Sequence, residues 1–315
     1  MSNTFTISID DIESARRSIG KYVKKTPLMK SATLSEMFGS NIYLKVEAFQ
    51  KTGSFKVRGA FNKMLTLTPD QRKAGAVAVS GGNHAQAVAY AARILDIRAR
   101  ILMPQNTPKN YVEATKEYGG DVVLTRDVFE AFAKVDEHVA EGWSNVHPFN
   151  DPLVMSGQGT LGLEILEELP QMTDIVVSIG GGGLIGGVST AIKSLRPDVR
   201  IWGVETDGAH CMSLAMKAGH LVEMPKITSI AKTLGAPSAS KETLALAKAN
   251  LESVTVVSDI EALEALQLIL ERTKILVEPA ASCTLSAAGR LRDKFDSKSH
   301  VVLLLCGGNV GPADL

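Results

Sequence analysis

Runs of aliphatic and β-branched residues alternate with amphipathic stretches along most of this chain. The pattern predicts strands over 42–49, 74–80, 99–104 and 121–125, with helices over 54–65, 84–95 and 108–119 interleaved. Further on it predicts strands over 174–180, 200–205, 253–258 and 300–306, and helices over 185–195 and 261–276. The strand segments are continuously apolar rather than alternating, as in parallel sheets covered by helices on both faces. The fold class expected is α/β with doubly wound sheets. The turn-rich segment HPFNDP (147–152), with its two prolines, marks a crossing between domains.

Composition narrows the function classes. The 315 residues are enough for two domains and a sizeable core. Lys+Arg and Asp+Glu both total 34, so net charge is zero. That balance argues against a nucleic-acid binder, which neutralises phosphates with a cationic excess, and against a polybasic membrane-surface protein. With 45% hydrophobic and 22% charged residues, disorder is not expected. The cysteines, Cys211, Cys283 and Cys306, form no CxxC or metal-ligand spacing, which suits a reducing compartment without a disulfide framework. The N-terminal segment shows no apolar leader pattern, and no apolar run approaches the roughly 18 residues of a membrane span. A soluble, cytoplasmic protein of two domains is the expectation.

Four loops join strand ends to helix starts and carry the candidate chemistry. In DIVVSIGGGGLIGG (174–187) a strand runs into Gly180, Gly181, Gly182 and Gly183. Glycines let backbone N–H groups approach a ligand, and at a helix start those groups and the dipole favour a phosphate. Read as GxGxxG, Gly181, Gly183 and Gly186, with Glu205 19 residues on, match a dinucleotide fingerprint with Glu205 on a ribose. A phosphate is indicated and its carrier is left open; glycines kept for tight helix–sheet packing are the competing reading. In KTGSFKVRGA (51–60), Ser54 is a candidate N-cap that places Lys56 in the first helical turn. The dipole there lowers the pKa of a lysine and favours a nucleophilic amine, against the plainer reading of a solvated surface lysine. SGGNHAQ (80–86) again feeds a helix through glycines, offering amides for a second anion such as a substrate carboxylate, and the Asn83 amide for a phenolic oxygen. By spacing alone His84 is equally an ordinary helix-start residue. Cys306, in LCGGN (305–309), follows the last strand, where open α/β sheets bind ligands, although a buried structural cysteine reads equally simply.

Together these loops resemble the fold-type II pyridoxal-phosphate enzymes, in the branch of serine/threonine dehydratases and serine racemase. The likeness is an ordered set: KTPL (25–28), FQKTGSFKVRGA (49–60), SGGNHAQ, HPFNDP, GQGT (157–160), GGGG, VEPA (277–280) and CGGN (306–309). It implies two doubly wound α/β domains with pyridoxal 5′-phosphate in the cleft: a large cofactor-binding domain of 1–50 and 150–315, and a small mobile domain of 51–149. It makes Lys56 the lysine that holds the cofactor covalently and moves the substrate α-proton. Phe55 is expected to pack on the pyridine ring, Asn83 to bond its 3′-oxygen, Gly180 to Gly183 and the Leu184 N–H to hold the phosphate, and Cys306 to face the ring nitrogen. Ser80, Gly81, Asn83 and His84 are expected to receive the substrate carboxylate. The dehydrogenase reading explains the glycines but neither SFK nor SGGNH.

The reaction implied is α,β-elimination of water from L-serine or L-threonine, giving pyruvate or 2-oxobutanoate and ammonia. A neutral thiol at Cys306 cannot stabilise a protonated ring nitrogen, which suits prompt loss of a β-leaving group. Cysteine there, KITSIAKTLG (226–235) and ETDGAH (205–210) resemble the liver-type serine dehydratases. A serine or hydroxyaspartate racemase with dehydratase side activity is the alternative. Serine racemase carries a proton-donating serine where this chain has Gly81, so racemisation is expected to be minor. A cysteine-synthase-type β-replacement enzyme and a silent phosphate sensor are further alternatives, disfavoured by the lysine and asparagine loops and by the intact Lys56. The resemblance also implies a homodimer and a cation loop at Glu205 and the Ala209 carbonyl. Cys211, where racemases have aspartate, favours a monovalent ion such as K+ over a divalent one. The chain stops at Leu315, soon after CGGN, so a C-terminal regulatory domain and isoleucine feedback are not expected.

Overall fold

Continuously apolar segments form the strands expected of them. The structure, a computed structural model, describes residues 6–311. The chain's extreme ends, on which the leader and regulatory-domain expectations and the limits of the large-domain span partly rest, lie outside the described residues. The strands are β1 (Leu28–Lys30), β2 (Asn41–Val46), β3 (Ala76–Val79), β4 (Ala99–Pro104), β5 (Asp121–Thr125), β6 (Ser144–Asn145), β7 (Asp174–Ser178), β8 (Arg200–Thr206), β9 (Ser253–Val257) and β10 (His300–Leu305). Six pair in the order β1-β2-β10-β7-β8-β9, parallel except β1 against β2. The others form a parallel sheet in the order β5-β4-β3-β6. The fold class is α/β. A large apolar core surrounds the first sheet and a second lies against one face of the smaller sheet.

Differences from the pattern have local causes. β2 stops at Val46 and the chain turns into a 3-10 helix, Glu47–Phe49, which buries the Glu47 carboxylate beneath Arg58. The helix expected over 261–276 is Asp259–Thr273, ended by Lys274 in the left-handed region at φ 64°. The short β1 and β6 carry too few residues to show a period. Helices Pro152–Glu168 and Pro279–Arg290 are buried on nearly every side, so neither shows the apolar stripe that identifies a surface helix.

Helix Pro152–Glu168 sets the positions of two others. A Cβ on Gly157 would lie 2.7 Å from the Arg58 carbonyl oxygen, and one on Gly59 2.7 Å from the Val154 carbonyl oxygen. Helix Lys56–Leu65 therefore crosses it backbone to backbone. Nearby, a Cβ on Gly187 would lie 2.2 Å from the Met155 carbonyl oxygen, so helix Gly183–Leu195 crosses as closely. GQGT is thus a packing motif serving two neighbours.

A buried charge network locks the first crossing. Arg58 is fully buried; its Nε donates to Glu47 Oε2 at 2.8 Å and its Nη2 to Glu47 Oε1 at 2.9 Å. Nη1 donates to Glu164 Oε1 at 2.7 Å and to Thr160 Oγ1 at 3.2 Å. Buried Lys45 donates to Glu164 Oε2 at 2.9 Å and to the Thr26 carbonyl at 2.7 Å. KTPL and GQGT meet here, through Thr26 and Thr160, around a residue two positions after Lys56.

Two stability measurements follow. Gly157→Ala should cost about 1–3 kcal/mol in denaturant unfolding, because its methyl meets backbone, whereas Gly289→Ala, exposed with nothing near its Cβ, should stabilise by up to about 1 kcal/mol. Arg58→Met should cost about 3–5 kcal/mol by leaving Glu47 buried and unpaired, and adding Glu47→Gln should recover part of the loss.

Candidate active site

Both sheets present their loops where strand order reverses. In the larger sheet the chain winds from β7 outward through β8 to β9, while β10 lies on the other side of β7. Gly180–Gly183 leave the C-terminal end of β7 and Cys306 that of its neighbour β10. In the smaller sheet β3 lies between β4 and β6, and Ser80–His84 leave its C-terminal end. Such switch points are where open α/β sheets bind ligands.

The Gly180–Gly183 loop turns into helix Gly183–Leu195 through Gly182 at φ 95°. Among the described residues, the amides of Gly180 through Leu184 donate to no protein acceptor. Adjacent unpaired N–H groups at a helix start form a cradle for an anion. The space for side chains is already filled: a Cβ on Gly181 would meet the Phe149 ring at 2.3 Å, and one on Gly182 would meet Thr243 Cβ at 2.6 Å.

Lys56 opens helix Lys56–Leu65, capped by Phe55 rather than Ser54, and the Ser54 hydroxyl is buried without a partner. The Lys56 Nζ donates to the Pro148 carbonyl at 2.7 Å and lies 5.2 Å from the Phe55 ring centroid. Burial brings its pKa down to about 8, while the Glu278 carboxylate pulls the other way. The helix dipole invoked from the sequence gives way to desolvation as the main cause.

In the SGGNH loop the Gly82 N–H is taken by Ser80 Oγ at 3.1 Å. Among the described residues, the amides of Gly81, Asn83 and His84 have no protein acceptor, which leaves a second anion cradle. His84 Nε2 lies 2.7 Å from the Val146 carbonyl oxygen, and Nδ1 is buried without a partner. Burial first, then Lys56, lowers the His84 pKa to about 3, so the ring is neutral and donates from Nε2. Only its backbone N–H is then free for a carboxylate.

Cys306 is buried, its Sγ donating to the Ala280 carbonyl at 3.6 Å and accepting from Ser178 Oγ at 3.7 Å. Burial, with Glu278 nearby, raises its pKa well above the usual thiol value, so it stays a thiol. The Phe55 N–H donates to the Cys306 carbonyl at 3.1 Å, and Gly307 bridges Ser54. The Lys56, Asn83 and Cys306 loops therefore form one site, joined to the glycine loop through Pro148 and Phe149.

Glu205 has a different setting. Its carboxylate accepts the Met212 and Ser213 N–H groups at 2.9 and 2.7 Å, capping helix Cys211–Ala218. Glu205 is fully buried, with its carboxylate turned to these N–H groups, so it is not presented to a ribose hydroxyl as the dinucleotide reading requires. Ala209 lies in the same turn, its N–H on the Thr206 carbonyl at 2.9 Å, and Cys211 Sγ reaches the Gly180 carbonyl at 3.7 Å. Among the described residues no three His, Cys, Asp or Glu side chains group as a metal site. No helix there is long and apolar enough to cross a membrane.

Sequence reasoning assigned no role to Glu278, Asn309 or the Pro148 carbonyl, although all lie in quoted motifs. Glu278 is buried and takes the Asn83 amide at 2.8 Å. Burial raises its pKa to about 7 against the hydrogen bonds of Asn83 and Thr233.

This geometry has close counterparts. Residues 19–307 match the family described as pyridoxal-phosphate dependent enzymes. An L-threonine ammonia-lyase of Thermotoga maritima is 40% identical over 309 residues, covering 96% of this chain and 76% of that protein. A catabolic L-threonine dehydratase of Staphylococcus aureus is 38% identical, covering 96% of this chain and 89% of its own. The solved structure of maize serine racemase superposes with a TM-score of 0.93 at 35% identity, covering 98% of this chain and 95% of its own. An amine-bearing lysine between two amide cradles, on this fold and with these relatives, places the chain in the family of pyridoxal-phosphate dependent enzymes.

Proposed function

We propose that this chain eliminates water from L-serine and L-threonine, releasing pyruvate or 2-oxobutanoate together with ammonia. The observation that carries the reading is Lys56, whose amine has its pKa brought down to about 8 in a site with two unpaired amide cradles. The names of the threonine ammonia-lyase and dehydratase relatives support the same chemistry.

The residues present fit pyridoxal 5′-phosphate. The Gly180 to Leu184 amides suit its phosphate, Phe55 and Cys306 its ring, Asn83 its 3′-oxygen and Lys56 its aldehyde carbon. When bound, the cofactor supplies an electron sink for charge developing at the substrate α-carbon. The amides of Gly81, Asn83 and His84 hold the substrate carboxylate, with Ser80 shaping that loop through Gly82. Lys56 Nζ takes the α-proton, a role suited by a pKa near the working pH. Cys306, held as a thiol, gives no charge to a protonated ring nitrogen, which favours prompt release of the β-hydroxyl over transamination. One methyl separates the two substrates, worth about 1–3 kcal/mol in a pocket, so both should turn over.

The maize structure favours racemisation as a second reading. Against it, Gly81 has no side chain to protonate the opposite face, and a Cβ there would lie 2.6 Å from Thr107 Oγ1. The proposal further includes a cytoplasmic homodimer, a small domain of 51–149 that moves against 1–50 and 150–315, and a K+ ion at Glu205 and the Ala209 carbonyl. Activity that does not change when K+ is removed would discard the ion.

The purified protein should be yellow, with borohydride fixing the cofactor on Lys56. Lys56→Ala should lose that colour and reduce 2-oxo acid release by about 10²–10⁴-fold or more; near-normal turnover would overturn the lysine assignment. In a panel of L- and D-serine, L-threonine and 3-hydroxyaspartate, L-serine and L-threonine should release 2-oxo acid. Silence from every substrate would end the elimination reading. L-serine turned over in deuterated water should return little deuterated D-serine; substantial recovery would favour the racemase.

A further inference from the structure

The Asn83 side chain is held from both ends by residues with no role in the scheme above. Its Nδ2 lies 2.8 Å from Glu278 Oε1 and 3.1 Å from Oε2. Its Oδ1 accepts from Asn309 Nδ2 at 2.8 Å. An amide NH₂ only donates, so Asn309 Nδ2 must face the Asn83 oxygen, and the Asn83 NH₂ is thereby turned to the Glu278 carboxyl group. The same Asn309 nitrogen also donates to the Thr52 carbonyl at 2.8 Å, which commits both of its hydrogens.

The cluster reaches further than Asn83. Glu278 Oε1 accepts from Thr233 Oγ1 at 3.0 Å, and the Asn309 carbonyl accepts from the Tyr111 hydroxyl. Asn83 and Tyr111 lie on helices that follow β3 and β4 of the four-stranded sheet. Glu278 opens helix Pro279–Arg290, and Asn309 follows β10 of the six-stranded sheet. Asn309 therefore joins three segments: the loop leading to Lys56, the carboxylate loop and the Tyr111 helix.

The surrounding backbone is shaped to this cluster. A Cβ on Gly53 would lie 2.3 Å from Asn309 Oδ1, and one on Gly307 2.9 Å from Glu278 Oε1 and 3.1 Å from Asn83 Nδ2. Thr52, β-branched, sits at φ 61°, an unfavourable conformation whose carbonyl is the one Asn309 holds. Glu278 is 3% exposed, and a buried carboxylate is costly unless its hydrogen bonds are specific.

We propose that Glu278 and Asn309 are positioning residues for substrate binding. Together they orient the Asn83 amide and pin the start of helix Asn83–Ile94 to the Lys56 loop. The amides of Gly81, Asn83 and His84 are thereby kept facing the cleft that holds the lysine. The inference deepens the elimination reading and rests on it for the identity of the ligand, an α-amino carboxylate.

The test compares the cofactor-loaded full chain with Glu278→Gln and Asn309→Ala. Each variant should raise KM for L-serine and L-threonine by about tenfold, the equivalent of one charge-assisted hydrogen bond. kcat should stay within about threefold, as expected when ground-state and transition-state binding are lost equally. Hydrogen exchange across 80–90 should quicken while 183–195 stays unchanged. Unchanged KM and unchanged exchange across 80–90 in both variants would overturn the proposal. So would a general rise in exchange across the chain with kcat falling as KM rises, because that marks a purely structural role. If the wild type releases no 2-oxo acid but exchange still quickens across 80–90 alone, the elimination reading fails and the positioning role stands.

Discussion

The rest of the site depends on the burial of the Arg58 guanidinium. A charge without water must be met by carboxylates in fixed geometry, and Glu47 and Glu164 meet it from different segments. Glu47 can do so only because β2 breaks into a 3-10 turn, and Glu164 because helix Pro152–Glu168 crosses at Gly157. Once those requirements are satisfied, the start of helix Lys56–Leu65 cannot rotate or slide. The lysine two residues earlier inherits that rigidity. The same central helix fixes helix Gly183–Leu195 at Gly187, so the lysine and the glycine cradle are referenced to one buried element.

Polar recognition in this site is built mainly from backbone. The amides of Gly180 to Leu184 and of Gly81, Asn83 and His84 are unpaired within the protein, and they lie at helix starts where the dipole adds to their attraction for anions. A chain with equal numbers of acidic and basic side chains can therefore offer two anion cradles without a cationic patch. The low pKa of Lys56 comes from burial, moderated by the Glu278 carboxylate.

Much of the fold was legible in the chain because its information is local. Parallel strands buried on both faces read as uninterrupted apolar runs, and each such run became a strand within a few residues. Among the helices the pattern missed, Pro152–Glu168 and Pro279–Arg290 lack a polar face, so no periodicity marks them, whereas Ile9–Ile19 and Val128–Ala140 are amphipathic and carry a period that was not read. Within the site, Lys56, Asn83, the glycines and Cys306 were recognisable because their residue types and loop positions carry the resemblance. Ser54 was misread as a cap because capping depends on a ψ angle and a donor position that no spacing reveals. Glu205 looked like a ribose ligand by spacing, yet a nearby helix start takes both of its oxygens.

By itself, the sequence determined the order of the longer strands, the presence of four glycine-bearing loops that follow them, and a lysine at a helix start. Those features are set within segments of a few residues, by apolar periodicity and by the freedom of glycine. Only the tertiary structure decided which amides are left unpaired, how far burial lowers the lysine pKa, and that Glu278 and Asn309 grip Asn83. Asn309 and Asn83 are 226 residues apart in the chain. Desolvation and hydrogen-bond pairing belong to whatever packs together, and that packing arises only when both sheets are folded around the same cleft.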